Sequence, residues 1–385
     1  LCASGFNLEE CMVSMFNGKR TPLPPSRFYS DHPSVYPVFE IVKQPLISAN
    51  GLEPDLMLTA KFALAAAEEA IDNAELNRKM LQRNRVGICI GTTVGSAMND
   101  EKFYRDYRSG HRPQMDAITR YLNSNPAHVI ADKYGTIGPC QTVVNACSSG
   151  TDAIGLGASW IRSGICDVVI AGGADELCRV TYNGFISLMV ADDSPCKPFD
   201  ANRKGLNLGE GAAVLILESE VFCRTRNKSP RGQLLSYGSA CDAYHLTAPA
   251  PDGRGLKQAI AAAMAACEKS VDDIAFINAH GTGTIDNDRV ESKVLNRLLP
   301  NVPFLSTKGY TGHTLGAAGA IEAALTVSYL EIGKIPVSAG FESRDPELPA
   351  VPVQQKTDVR GTIAISQSLA FGGNNAVVVF GKGDD

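Results

Sequence analysis

The chain has 385 residues, is 44% hydrophobic and 20% charged, carries 36 glycines and has a formal net charge of −5. Its length suits one large domain or two fused halves, and its composition excludes a disordered or fibrous protein. The negative balance argues against general affinity for nucleic acid, and no apolar run reads as a membrane span.

In chain order, residues 53–73 carry the apolar spacing of a helix. Residues 85–91 form an apolar, glycine-bounded strand. A second strand over 141–146 runs into Cys147-Ser148-Ser149-Gly150 and a helix of small residues reaching Ala158. The strand at 167–172 is apolar on both faces, as expected of a strand covered on both sides. A further strand at 211–217 precedes Asn227-Lys228-Ser229-Pro230-Arg231-Gly232, which reads as the boundary between halves at 1–231 and 232–385. The second half repeats the pattern: a strand at 232–239, a helix at 255–270, a strand at 274–279, a helix at 316–332 and strands at 335–337, 362–366 and 375–381. Alternation of this kind predicts α/β architecture with buried sheets.

A weak internal repeat supports duplication. Cys147-x-x-Gly150 opens one small-residue helix, and His313-x-x-Gly316 opens another, each followed by a glycine and an apolar strand. Small residues let helices approach closely, so two such helices packed face to face would join Cys147 and His313 at their N-termini.

Of the 11 cysteines, most sit in apolar strand or helix contexts and no CxxC pair occurs. That predicts reduced, buried thiols rather than a zinc site or a disulfide framework, and a cytoplasmic protein. Cys147 stands apart because it starts a helix, where partial positive charge and free N–H groups favour the nucleophilic thiolate. Among six histidines, His32, His111, His128 and His245 lie in no motif. His280 ends an apolar strand before Gly281-Thr282-Gly283-Thr284, a place where α/β sheets bind ligands, and its Nε2–H could hold an oxyanion. His313 is flanked by Lys308 and Glu322, a pair able to fix its orientation. The paired glycines of Ala370-Phe371-Gly372-Gly373-Asn374 allow close backbone approach to a ligand, with a backbone N–H completing an oxyanion hole beside that of Cys147.

Together, Cys147 in NACSSG, His280 in NAHGTGT, His313 in KGYTGHTLGAAG and Phe371 in AFGGNN resemble the elongating β-ketoacyl-acyl carrier protein synthases. Pro198-Phe199-Asp200-x-x-Arg203-x-Gly205 and Gly209-Glu210-Gly211-Ala212 extend the match along nearly the whole chain. The resemblance implies a thiolase fold, with duplicated halves layered α/β/α/β/α, and a dimer. It implies decarboxylative condensation of an acyl group on Cys147 with a malonyl-type extender. His280 and His313 would stabilise the enolate, Lys308 and Glu322 would support His313, and Phe371 with Gly372 would gate and line the acyl site. Thr282 and Thr284 would contact the pantetheine arm. No cofactor or metal is implied, because the substrates ride on the phosphopantetheine arm of acyl carrier protein.

Residues 280–288 and 244–247 are closer to type II polyketide or aryl-polyene ketosynthases, which implies either a homodimer or a heterodimer with a chain-length subunit. A non-catalytic partner subunit of that kind is the alternative function, though such partners usually lack the cysteine that is present here. A degradative thiolase would need a second cysteine near Gly372, and starter-type enzymes carry Asn where His313 stands. The family normally opens with a strand ahead of the segment resembling residues 1–5, so an incomplete sequence is expected.

Overall fold

The computed structural model describes residues 1–42 and 56–383. Positions 53–55 of the first expected helix lie outside the described residues, and the helix runs Leu58–Asn73. Its buried face, including Phe62, Leu64 and Ile71, covers the outside of the first sheet.

That sheet contains β1 (Val86–Gly91), β2 (Cys140–Val143), β3 (Val168–Asp175) and β4 (Gly211–Glu218), in the order β2-β1-β3-β4. β1 pairs in parallel with both β2 and β3, and β4 closes the set antiparallel. β3 is buried along its whole length, as its two-sided apolar sequence requires. The second sheet contains β5 (Gly232–Cys241), β6 (Ile274–Asn278), β7 (Phe304–Leu305), β10 (Ile363–Ala370) and β11 (Asn374–Lys382). Its order is β5-β11-β10-β6-β7. Here too a parallel trio, β7-β6-β10, is followed by an antiparallel strand, β11. The two halves therefore share one strand pattern, and the fold is a duplicated α/β arrangement.

The strand expected at 335–337 is not part of this sheet. Among the described residues Lys334–Ile335 (β8) pairs only with Thr357–Asp358 (β9), and the counterpart of β3 is β10, reached through an irregular segment. β11 carries β5 on its outer side, whereas β4 has β3 as its paired strand. Alongside β4 lies a groove of about 810 Å³, walled by the helix Leu58–Asn73, the start of β5 and residues of both helices Ser149–Arg162 and Ala318–Ile332.

Two central helices lie between the sheets and complete the five layers. Ser149–Arg162 follows β2, and Ala318–Ile332 follows β7 through the tight turn Leu315–Ala317. By length and composition alone, Leu315–Ile332 is apolar enough to cross a membrane, contrary to the sequence reading. It is 78% buried as the central helix of the core, which explains its apolar character. The two helices touch backbone to backbone. A Cβ on Gly150 would sit 2.8 Å from the Gly316 carbonyl oxygen and 2.9 Å from the Ala320 nitrogen. One on Gly319 would sit 2.0 Å from the Thr151 hydroxyl.

Gly150→Ala should therefore cost about 1–3 kcal/mol by overpacking and lower the melting temperature. Gly184→Ala, mid-helix with no atom within 4 Å of its added methyl, should leave stability unchanged or raised. Equal melting temperatures for parent and Gly150→Ala would contradict the proposed tight approach.

Candidate active site

Cys147 sits on a forced turn. The chain leaves β2 and passes through Ala146 at φ 49°, a left-handed conformation that non-glycine residues rarely adopt. The turn is held from several sides. The Ala146 carbonyl accepts from Ser149 N at 3.1 Å, Ser149 Oγ at 2.6 Å and Thr93 Oγ1 at 3.2 Å. Cys147 is 4% exposed and lies just before Ser148, the cap of the helix Ser149–Arg162. Burial pushes its thiol up to about 12, against the lowering effects of the Lys308 charge and the Phe371 N–H aimed at the sulfur. The expectation of a thiolate bias is thus reversed, because complete desolvation outweighs the helix start.

His280 follows β6 by two residues. Its backbone N–H and that of Gly281 donate to the two oxygens of Glu291, at 2.6 and 2.7 Å. Lys308 Nζ donates to His280 Nδ1 at 3.1 Å, to the His280 carbonyl at 2.7 Å and to Glu322 Oε1 at 2.5 Å. An ammonium has donors only, so Nδ1 of His280 accepts and its proton lies on Nε2. His313 reaches the same state differently. Its Nδ1 accepts from the Leu315 N–H at 3.3 Å, which again leaves the proton on Nε2. Its backbone is pinned by bonds to Asn207 and Gly209 at 2.8 and 2.9 Å. The two imidazoles meet edge to face, 5.2 Å between centroids. Burial first, then the Lys308 charge, holds both well below the usual histidine range, and His313 adds to the effect on His280. The site thus holds two neutral imidazoles, each with its proton on Nε2.

The structure corrects the expected role of Lys308 and Glu322: the lysine orients His280, and the Leu315 N–H orients His313. Burial raises Glu322 to about 7 despite the adjacent lysine, and among the described residues its Oε2 has no hydrogen-bond partner. Burial likewise raises Glu291 to about 7. Thr282 and Thr284 bond each other through their hydroxyls at 2.9 Å, with Thr284 at the start of the helix Ile285–Leu298. Phe371 stacks on Phe185, with centroids 5.5 Å apart and planes 14° apart, and the adjacent Gly372 is exposed at φ 85°.

Sequence reasoning missed several supporting residues. Asp175, at the end of β3, accepts from Thr92 Oγ1 at 2.7 Å, Thr93 N at 2.8 Å, Gly95 N at 3.1 Å and Gly316 N at 2.7 Å, so it ties the two halves together. Its only sequence signal is a carboxylate ending an otherwise apolar strand. Glu291 and Phe185 carry no local signal at all. Among the described residues, no group of three or more His, Cys, Asp or Glu is placed to hold a metal ion.

Residues 55–221 match the sequence profile of the beta-ketoacyl synthase N-terminal domain, and residues 231–342 match that of its C-terminal domain. The chain is 34% identical to a 3-oxoacyl-[acyl-carrier-protein] synthase 2 from Synechocystis, over 83% of this chain and 80% of the relative. It is 33% identical to the tetracenomycin polyketide synthase ketoacyl synthase alpha subunit of Streptomyces glaucescens, over 84% and 80%. The solved ishigamide ketosynthase/chain length factor is similar at a TM-score of 0.90 and 29% identity, covering 99% of this chain and 96% of that one.

With a thiol raised to about 12, only the small thiolate fraction reacts at neutral pH. Alkylation of Cys147 by iodoacetamide, followed by peptide mass mapping, should accelerate about tenfold per pH unit from 7 to 9. A plateau below pH 9 would show that the folded site keeps the thiolate after all.

Proposed function

This chain belongs to the β-ketoacyl synthase family, and from that premise we propose that it is an acyltransferase condensing an acyl group on Cys147 with malonyl-acyl carrier protein. The observation that carries this reading is that one buried thiol and two neutral imidazoles, each carrying its proton on Nε2, all lie within the influence of the single Lys308 charge.

In the first step the Cys147 sulfur attacks the thioester carbonyl of an acyl group on carrier protein. The tetrahedral oxyanion is held by the backbone N–H groups of Cys147 and Phe371. The bond to the pantetheine sulfur breaks, and the cysteine proton ends on that sulfur. No net charge is left in a site that strongly disfavours it. In the second step malonyl thioester replaces the departed carrier. Its carboxylate leaves as carbon dioxide, and the electron pair of the broken carbon–carbon bond enters an enolate. The enolate oxygen accepts from the Nε2–H groups of His280 and His313. The enolate carbon attacks the Cys147 thioester, the carbon–sulfur bond breaks, and the β-ketoacyl product leaves on carrier protein. The thiolate of Cys147 regains a proton from solvent.

Neutral imidazoles suit this role, since they donate to a developing negative charge without first protonating it. Lys308 fixes His280 in the donating tautomer, and Glu322 balances the lysine. In this reading Phe371, with Gly372 as its hinge, gates the acyl site, and Thr282 and Thr284 contact the pantetheine arm. The substrates are carried on phosphopantetheine, and no further cofactor takes part in the proposed steps. The proposed assembly is a dimer, either of this chain alone or with a chain-length subunit, as in the similar ketosynthase/chain length factor. A cytoplasmic setting agrees with eleven cysteines that are all unpaired thiols. The pathway is type II polyketide or fatty-acid synthesis, supported by relatives of both kinds.

Incubation with acyl-carrier protein should add one acyl group by intact mass, and Cys147→Ala should abolish it. His313→Ala should keep acylation while condensation falls about 10²- to 10³-fold, the usual effect of losing one oxyanion donor. Equal loss of both half-reactions would refute the role given to His313.

A further inference from the structure

The turn that carries Phe371 and the turn that carries Cys147 are joined by two asparagine side chains. Asn145 lies two residues before Cys147, and Asn374 lies three after Phe371. Asn374 Nδ2 donates to Asn145 Oδ1 at 2.6 Å and lies 3.4 Å from the Phe371 carbonyl oxygen. The amide of Asn145 is itself held from behind. Its Nδ2 donates to Asp152 Oδ2 at 2.6 Å, an oxygen that also accepts from Ser148 Oγ at 2.8 Å. Asp152 Oδ1 accepts from the Tyr237 hydroxyl at 2.7 Å. The polarity of this relay is determined. Asp152 calls for the NH₂ end of Asn145, so the oxygen end faces Asn374, which must answer with its own NH₂.

The turn so held rests on two glycines. Gly372 and Gly373 stand at φ 85° and 82°, two successive left-handed residues that only glycine adopts without strain. Gly372 is exposed, and a methyl added there would meet only Asn374 Nδ2, at 3.4 Å. With the turn seated, the Phe371 N–H points at the sulfur and its ring lies on Phe185. Lifting the turn would break the Asn145–Asn374 bond along with the backbone bonds that hold the glycines, from the Gly372 N–H to the Leu246 carbonyl at 2.8 Å and from the Asp242 N–H to the Gly373 carbonyl at 2.7 Å.

We infer that Asn145 and Asn374 form an amide latch whose hydrogen bond sets how often the Phe371 turn lifts away from Cys147. Both are positioning residues, acting through the Phe371 backbone. The inference rests on the reading of Phe371 as a gate over an acyl-accepting Cys147. Latched, the turn completes the oxyanion hole and closes the thiol off. Unlatched, it admits an acyl chain. The pair thereby couples entry of the chain, which needs the turn lifted, to restoration of the hole, which needs it seated.

The test reads the accessibility of Cys147 directly. Iodoacetamide labelling at fixed pH, mapped to the Cys147 peptide, should run about 2- to 10-fold faster in Asn374→Ala and in Asn145→Ala than in the parent, the shift expected from one lost hydrogen bond. The double variant should match either single one, since both break the same bond. Exchanging the two groups, Asn145→Asp with Asp152→Asn, keeps every donor facing an acceptor once the Ser148 hydroxyl donates only to the backbone carbonyl of residue 145, 2.9 Å away, and should restore slow labelling. In the condensation assay Asn374→Ala should lower kcat with little change in KM for the extender. Should Asn374→Ala fold poorly by thermal melt, Asn374→Ser provides the same break in a smaller perturbation. Unchanged labelling in the single variants, additive effects in the double, or fast labelling in the exchanged pair would each overturn the latch. Labelling needs no acyl substrate, so failure of the latch is distinct from failure of acyl transfer, which the Cys147→Ala mass measurement reads.

Discussion

The site exists because two helices meet without side chains between them. Gly150 on one helix faces Gly316 and Ala320 on the other, and Gly319 faces Thr151, at distances that exclude even a methyl group. Cys147 lies two residues before one helix, and His313 lies two before the turn Leu315–Ala317 that enters the other, so the approach of the helix starts brings the two functional segments together. The pairing holds across the two halves because Asp175, from the first, accepts the Gly316 N–H of the second. A glycine here gives up helix propensity of about 1 kcal/mol relative to alanine. The sequence retains it where approach matters more than local stability.

Burial then sets the chemistry. Lys308 and Glu322 are nearly inaccessible, and an ion pair so placed is weak evidence for stability, since desolvation offsets attraction. Its worth is better sought in what it does to its neighbours. The same desolvation that raises the Cys147 thiol lowers both histidines, so three titratable groups are all driven to their neutral forms. A neutral thiol and neutral imidazoles suit a cycle whose charges appear only as bonds are exchanged, and whose anions are met by fixed donors when they arise.

The architecture was legible because its signals are local and periodic. β1, β3, β4, β6, β10 and β11 each begin within a residue of where apolar patterning placed them. The helices before β1 and after β5 were likewise readable. What failed did so for physical reasons. The two-residue β8 was mistaken for the counterpart of β3 because an apolar run after a glycine looks the same whether it enters the main sheet or a side ribbon. The apolar central helix escaped as a span-like segment because Glu322, Thr326, Ser328 and Glu331 interrupt its apolar run. At the site, residues with motif context were found, whereas Glu291, Asp175 and Asp152 were not. Those three act across 10, 141 and 85 residues, on Gly281, Gly316 and Tyr237, and no spacing in sequence records such contacts.

The most instructive error concerns Lys308. Sequence proximity assigned it to His313, five residues on, yet its ammonium lies against His280, 28 residues back. The distinction matters because orientation of an imidazole is decided by which group donates to Nδ1. A lysine and a backbone N–H are both donors only, so either one forces the proton onto Nε2. The site uses one of each: a charged donor on the histidine that ends a strand, and a neutral one on the histidine that precedes a helix. If Lys308 faced His313 instead, His280 would lose the donor that holds its tautomer, and its Nε2 could turn from donor to acceptor toward an enolate. Two converging donors therefore require two separate supports. Because β6 sets the end of one strand and the turn Leu315–Ala317 sets the entry of one helix, the duplicated fold supplies one support from each.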